Sequence, residues 1–199
     1  MCNGPVVCSV ASRGGSNAFQ IHTGSMMFVD FRPSADQKQG MAKHNYTFDH
    51  PSDIGLAARA DSLGELMEAL AEGLAGEICD RDQVAAAQSR TLEVSVETDQ
   101  AAAAKATPDY ESLAVDFLTA VMNLIQVRHF MVREASVQMP SVASAAGGPA
   151  AGALVAQLTG EPYEPERHEI KVEIKAVTYH QLTIKQEGGQ WVGRVIVDI

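Results

Sequence analysis

The strongest periodic signal in the chain lies between Tyr110 and Ile125, where Tyr110, Leu113, Ala114, Phe117, Leu118, Val121, Leu124 and Ile125 recur every three or four positions. Side chains at that spacing share one face of an α-helix, and a stripe this broad has to be buried against something. A second stripe, Leu63, Leu66, Met67, Leu70, Leu74 and Ile78, predicts a second helix. The other periodic segments alternate every second residue, the pattern of a strand with one buried face. Two helices covered by strands predict an α+β domain in which both pack on a mostly antiparallel sheet, not a doubly wound one.

The boundaries are locally marked. Ser62 and Glu65 have capping-box spacing at the start of the first helix. Gly64, Gly73 and Gly76 each weaken that helix by about 1 kcal/mol relative to alanine, so tertiary packing has to hold it. Thr107-Pro108 reads as cap and first residue of the second helix. Strands are predicted around Tyr46 and Phe48, over Leu56–Ala60, over Leu92–Val96, over His129–Gln138 and over Leu154–Leu158. Three alternating runs close the chain: Ile170, Val172 and Ile174; then Tyr179, Leu182 and Ile184, with a phase slip near His180 that suggests a bulge; then Val192, Arg194 and Ile196 after a tight turn at Glu187-Gly188-Gly189. The element order is taken as β-β-α-β-α-β-β-β-β, which counts four of the five alternating segments after the second helix as strands.

Between these elements the composition changes. Residues 1–43 are rich in Gly, Ser and Asn and keep no sustained period, so they read as a disordered or loosely held extension, with Met26–Phe31 as an apolar stretch able to dock as an extra strand. Residues 44–199 form a single domain. Residues 100–106 are an Ala-rich linker, Ser141–Gly152 has the composition of a flexible hairpin tip, and Glu161–Glu169, charged and carrying two prolines, reads as a surface loop.

The charge balance narrows the function. With 15 basic and 25 acidic side chains the net charge is −10, which repels a phosphate backbone and argues against direct, non-specific nucleic-acid binding. Cys2, Cys8 and Cys79 are too few and too far apart for a disulfide framework or a zinc site, and Cys79 falls in a helical stripe as a reduced core residue. This usage suits a reducing, cytoplasmic compartment. No run approaches the roughly 18 apolar residues of a membrane span, and the start of the chain lacks the pattern of a secretory signal.

No phosphate loop, dinucleotide fingerprint, nucleophile elbow or HExxH pattern occurs. What remains is polar residues at strand ends. In His50-Pro51-Ser52-Asp53-Ile54-Gly55, Asp53 reads either as a turn-capping aspartate or as a held carboxylate. Asp198-Ile199 follows directly on an apolar strand. It reads either as a frayed acidic end or as a cluster of hard oxygens, from the Asp198 side chain, the backbone carbonyl and the α-carboxylate, of the kind that suits Ca2+ or Mg2+. Lys175 lies in step with Lys171 and Glu173 on a polar face, and His180 is either a site residue or a hydrogen-bonded, half-buried histidine.

Taken together these stretches resemble the archease family. His50–Gly55 followed by Ser62-Leu63-Gly64-Glu65-Leu66 is similar to the family's opening signature, and Leu113–Leu118 resembles its second helix. Glu173-Ile174-Lys175-Ala176-Val177-Thr178-Tyr179-His180 looks like its most distinctive motif, and Arg194–Ile199 its usual terminus. The likeness runs over residues 44 to 199. Residues 1–40 lie outside it, and the Ala/Gly-rich linkers at 100–106 and 141–153 look longer than the family needs. The resemblance implies a small α+β protein that assists an RtcB-type RNA-splicing ligase, which joins RNA ends through a covalent histidine–GMP intermediate. It implies an activator of guanylylation and repeated turnover, with no reaction of its own and with RNA contacted only through the ligase. It also implies a metal site at Asp53, Asp198 and Ile199, an activating lysine at Lys175 with His50 and His180 as further activation residues, and a motif position at Glu65. Two other readings stay compatible with the residues: a stand-alone metal-dependent phosphohydrolase, disfavoured because no general base is evident, and a chaperone-like interaction module.

Overall fold

The computed structural model describes residues 44–50, 53–95, 109–139 and 153–199. Their order is β1 (His44–His50), β2 (Asp53–Ala60), α1 (Leu63–Ile78), a short 3-10 turn (Arg81–Gln83), β3 (Gln88–Ser95), α2 (Tyr110–Gln126), β4 (Phe130–Gln138), β5 (Ala153–Pro162), β6 (Ala176–Glu187) and β7 (Gln190–Asp198). This is the expected α+β order. The expectations for residues 1–43, the Ala-rich linker and the Ser141–Gly152 hairpin tip fall outside the described residues. The strands form two sheets, ordered β1-β2-β7-β6 and β3-β5-β4, and every pairing is antiparallel.

Both helical stripes face inward. In α1, Leu66, Met67, Leu70, Leu74 and Ile78 are at most 1% exposed, and α2 buries Phe117, Leu118 and Val121 completely. Helix α1 packs on β2 and β4, α2 packs on β6, and the two helices touch, so one core joins both sheets. The capping box forms as the spacing predicts: Glu65 N–H donates to Ser62 Oγ at 3.2 Å, and Ser62 N–H donates to Glu65 Oε2 at 3.0 Å. Ser62→Ala should cost about 1 kcal/mol, read as a lower urea midpoint with an unchanged slope. Helix α2 is capped differently from the sequence expectation. Its N-cap is Asp109, whose carboxylate accepts from Ser112 N–H at 3.0 Å and from Ser112 Oγ–H at 2.7 Å.

Helix α1 also closes an exposed strand edge. Strand β4 is the outer strand of its sheet, and two of its backbone donors are taken by α1 side chains one turn apart. Val137 N–H donates to Glu68 Oε1 at 2.8 Å and Ala135 N–H to Glu72 Oε1 at 3.2 Å. Donors occupied this way are not available to pair with another chain. At the C-terminal end of the same helix, Lys171 N–H donates to the Ile78 carbonyl and Lys171 Nζ to the Gly76 carbonyl, placing a cation where the helix dipole is negative.

The stretch read as a surface loop, Glu161–Glu169, is instead anchored by two buried polar residues. Glu161 is 6% exposed and His168 1%. Glu161 Oε1 accepts from Ala85 N–H at 2.6 Å and from His168 Nε2 at 3.1 Å, while Arg167 Nη2 pairs with Oε2 at 2.6 Å. Glu164 N–H donates to His168 Nδ1 at 2.9 Å, which fixes the tautomer with its proton on Nε2. The Arg167 bond, then the Ala85 bond, holds the Glu161 carboxyl down to about 2, below the ordinary glutamate value of 4.5. A depressed carboxyl contributes stability above its unfolded value and loses it as pH falls through the folded one. Acid unfolding should therefore steepen between about pH 4.5 and 2. Glu161→Gln should flatten that limb in a pH series of urea midpoints. An unchanged limb would show that other carboxylates set it.

The last two strands follow the expected local chemistry. Gly188 and Gly189, at φ of 62° and 87°, form the two-residue turn between β6 and β7. The β6–β7 register breaks between Thr178 and Thr183, and Gln181 inside the break sits at φ 51°. The first of the three closing runs joins no ladder. Its one bridge is Ile170 to Cys79, and β6 begins only at Ala176. Cys79 is buried in the core, as expected, with its thiol in no disulfide.

Candidate functional site

Strand β7 is central in its sheet, and Val195, Ile196 and Val197 are at most 2% exposed. The strand is thus gripped from both faces almost to its last residue, and Asp198 is held rather than frayed. Its partner in the register is Asp53, the first residue of β2. Asp53 in turn pairs with His50 of β1, and Asp198 pairs with Ala176 of β6. Residues directly opposite in an antiparallel pair send their side chains to the same face. The two aspartates, distant in sequence, therefore share one face at one end of the sheet, and alanine beside them leaves room.

Lys175 ties this end together. Its backbone N–H donates to the Asp198 carbonyl at 2.8 Å, and its Nζ donates to the Ile199 carbonyl oxygen at 2.7 Å. Like charges directly opposite on a sheet repel, and the lysine ammonium lies at the same end as the two aspartates. Carboxylate and carbonyl oxygens are the donors that hard cations such as Ca2+ and Mg2+ take. Among the described residues no three His, Cys, Asp or Glu side chains converge. A cation held by Asp53 and Asp198 would therefore draw on the main-chain oxygens of Ile199.

The remaining sequence candidates separate. His50 occupies the register position next to Asp53. His180 stands further along β6, inside the register break, and is exposed rather than half-buried. Its N–H donates to Thr178 Oγ1 at 3.3 Å and its ring meets Gln181 Nε2 at 3.1 Å. Glu65 serves the α1 cap.

One residue at the site escaped the sequence reading. Gln126, the last residue of α2, donates from Nε2 to the Ile174 carbonyl at 2.8 Å and accepts from Ile174 N–H at 3.0 Å through Oε1. It lies one turn beyond buried Met122, a polar residue continuing an inward-facing line, and that position is the signal that could have singled it out.

The archease protein family (MTH1598/TM1083) matches this chain over residues 46–199. The chain belongs to the archease family. The protein archease of Pyrococcus abyssi is 31% identical over 153 residues, covering 76% of this chain and 96% of that protein. The protein archease of Methanosarcina mazei is 31% identical over 157 residues, covering 79% and 96%. The solution structure of protein 1598 of Methanobacterium thermoautotrophicum superposes with a TM-score of 0.60 at 26% identity, over 78% of this chain and 98% of that one. The crystal structure of an archease from Thermotoga maritima, described as a possible chaperone, gives 0.50 at 16% identity, over 76% and 94%. That second likeness speaks for the archease fold alone. The α+β architecture expected from the sequence is thus the archease architecture. Among the described residues no helix is long and apolar enough to cross a membrane.

Proposed function

We propose that this archease is a protein activator of an RtcB-type RNA ligase, acting in the cytoplasm to promote the ligase's guanylylation and its repeated turnover, without a reaction of its own. The observation that carries the reading is the meeting of Asp53, Asp198, Ile199 and Lys175 at one end of the β1-β2-β7-β6 sheet. In this reading Asp53, Asp198 and the main-chain oxygens of Ile199 hold Ca2+ or Mg2+. Such a cation supplies positive charge for the oxygens of a nucleoside triphosphate. Lys175, bonded to Ile199, brings a second positive charge to the same place and neutralises phosphate as it is transferred. His50 and His180 are the further candidates for contact with the ligase. The net charge of −10 leaves RNA to the ligase, and no membrane is involved.

The test adds the protein to a cognate ligase with GTP and Mn2+ and follows ligase–GMP formation and the number of RNA joints per ligase. Both should rise. Phosphoester hydrolysis by the protein alone would favour a metal-dependent phosphohydrolase instead. Suppression of aggregation of unfolded proteins, retained by Asp53→Ala, would favour an interaction module.

A further inference from the structure

Lys175 has to place its ammonium on Ile199 although it belongs to no ladder: the segment 171–175 carries no strand pairing, and β6 starts one residue later. A backbone without a ladder partner depends on other groups for its hydrogen bonds. At Ile174, immediately before the lysine, those bonds come from a single side chain. The carboxamide of Gln126 presents a donor and an acceptor and takes both the carbonyl and the N–H of Ile174, at 2.8 and 3.0 Å. It thereby stands in for the neighbouring strand that the segment lacks. The Ile174 side chain is fully buried, so the residue is pinned from two directions, by packing and by the amide.

Gln126 is also the C-terminal residue of α2, the helix whose stripe fills the core, and the Val127 N–H closes the helix end on the Asn123 carbonyl. The chain of contacts runs from core helix to amide, from amide to Ile174, and from Ile174 to the next residue, whose N–H and Nζ reach Asp198 and Ile199. Only glutamine or asparagine offers a donor and an acceptor in this planar pairing, and asparagine is one methylene shorter.

From this geometry we infer that Gln126 is a positioning residue: its carboxamide replaces a missing strand at Ile174 and so sets Lys175 against Asp198 and Ile199. The functional half of this inference rests on the reading of Lys175 as the activating lysine. The structural half does not. Gln126→Met keeps the length and removes both hydrogen bonds, and Gln126→Glu keeps only the acceptor for Ile174 N–H. Amide hydrogen exchange of the full chain reads the structural half. The Lys175 amide, bonded to Asp198 and not to Gln126, should exchange about tenfold faster or more in Gln126→Met, with a smaller change in Gln126→Glu, while Val195 and Val197 keep their rates. Ligase guanylylation reads the functional half. Gln126→Met should lose stimulation by about tenfold, as a displaced positioning group does. Leu118→Ala, a core change in the same helix with an equal or larger drop in Tm, should keep stimulation below its melting range.

An unchanged Lys175 amide in Gln126→Met overturns the inference. So does full stimulation by Gln126→Met where Lys175→Ala has none, or an equal loss of stimulation in Leu118→Ala. If the unaltered protein fails to stimulate any ligase, the activator reading falls, and the exchange rates alone still decide whether Gln126 sets Lys175.

Discussion

Asp198→Ala is expected to weaken divalent-cation binding by at least about a hundredfold and to abolish ligase stimulation while leaving the fold intact. Outer partners of a metal site are themselves worth about 10–100-fold in affinity, so loss of a direct carboxylate should cost no less. The effect on stability runs the other way. Asp53 and Asp198 are opposed across β2 and β7, and like charges in that position destabilise a sheet by roughly 0.2–1 kcal/mol. Removing one of them in chelator-treated protein should leave Tm unchanged or slightly raised. Added Ca2+ should then raise the Tm of the unaltered protein and not that of Asp198→Ala, because a ligand stabilises only the state that binds it. Calorimetric titration and paired melting curves measure both signs. Asp53→Ala should behave alike. A cation-induced rise in Tm that survives both substitutions places the cation elsewhere.

Gly160→Ala should be the most damaging single methyl in the described part of the chain. Gly160 lies in β5, the middle strand of its sheet, and pairs with Gln88 on one side and Val132 on the other. A Cβ there would fall well inside contact distance of the Met131 carbonyl oxygen, which is backbone and cannot rotate away. The crowding has a local cause. The β4–β5 register shifts between Val132 and Glu134, and the extra residue, Arg133, bonds to the 3-10 turn: its Nη1 reaches the Val84 carbonyl, and its own carbonyl accepts from Arg81 Nε. Relief of the clash would require β4 to leave both its partner strand and that turn. We expect a loss of about 3 kcal/mol or more, at the upper end of overpacking effects, seen in urea unfolding or as loss of soluble protein. A change within about 0.5 kcal/mol, the range of an ordinary surface substitution, would mean that β4 moves freely there.

Local signals were readable where the physics is local. The capping box at Ser62, the Gly188-Gly189 turn and the slip in β6 each involve residues near one another in sequence, and the structure reproduces them. The Thr107 cap was displaced to Asp109 because both are cap-forming residues, and only the position of Ser112 N–H decides between them. Glu161 and His168 were hidden by composition: a charged, proline-bearing stretch reads as solvent-exposed, and nothing local shows that Ala85 and Arg167 satisfy the carboxylate. The division into two sheets was equally invisible, since it depends on which distant strands pair.

The site shows the same divide. Each aspartate alone could be a turn cap or a loose end, and their meeting depends on the β2–β7 register, a long-range pairing that no periodicity encodes. The family motifs supplied the association that periodicity could not. Gln126 was missed because a glutamine at a helix end is ordinarily solvated, and its partner Ile174 lies in a run that reads as an ordinary strand.

The β2–β7 pairing has a consequence for biosynthesis. Asp53 belongs to the second strand of the described domain and Asp198 to the last, so the end of the sheet where they meet closes a loop spanning almost the whole domain. Contacts of such high order form late, after the entropy of closing the long loop has been overcome. A nascent chain still lacking β7 has Asp53 but not Asp198 opposite it, whatever else has folded. On the proposed reading, a copy that has not yet added β7 to the sheet would neither hold the cation nor stimulate a ligase.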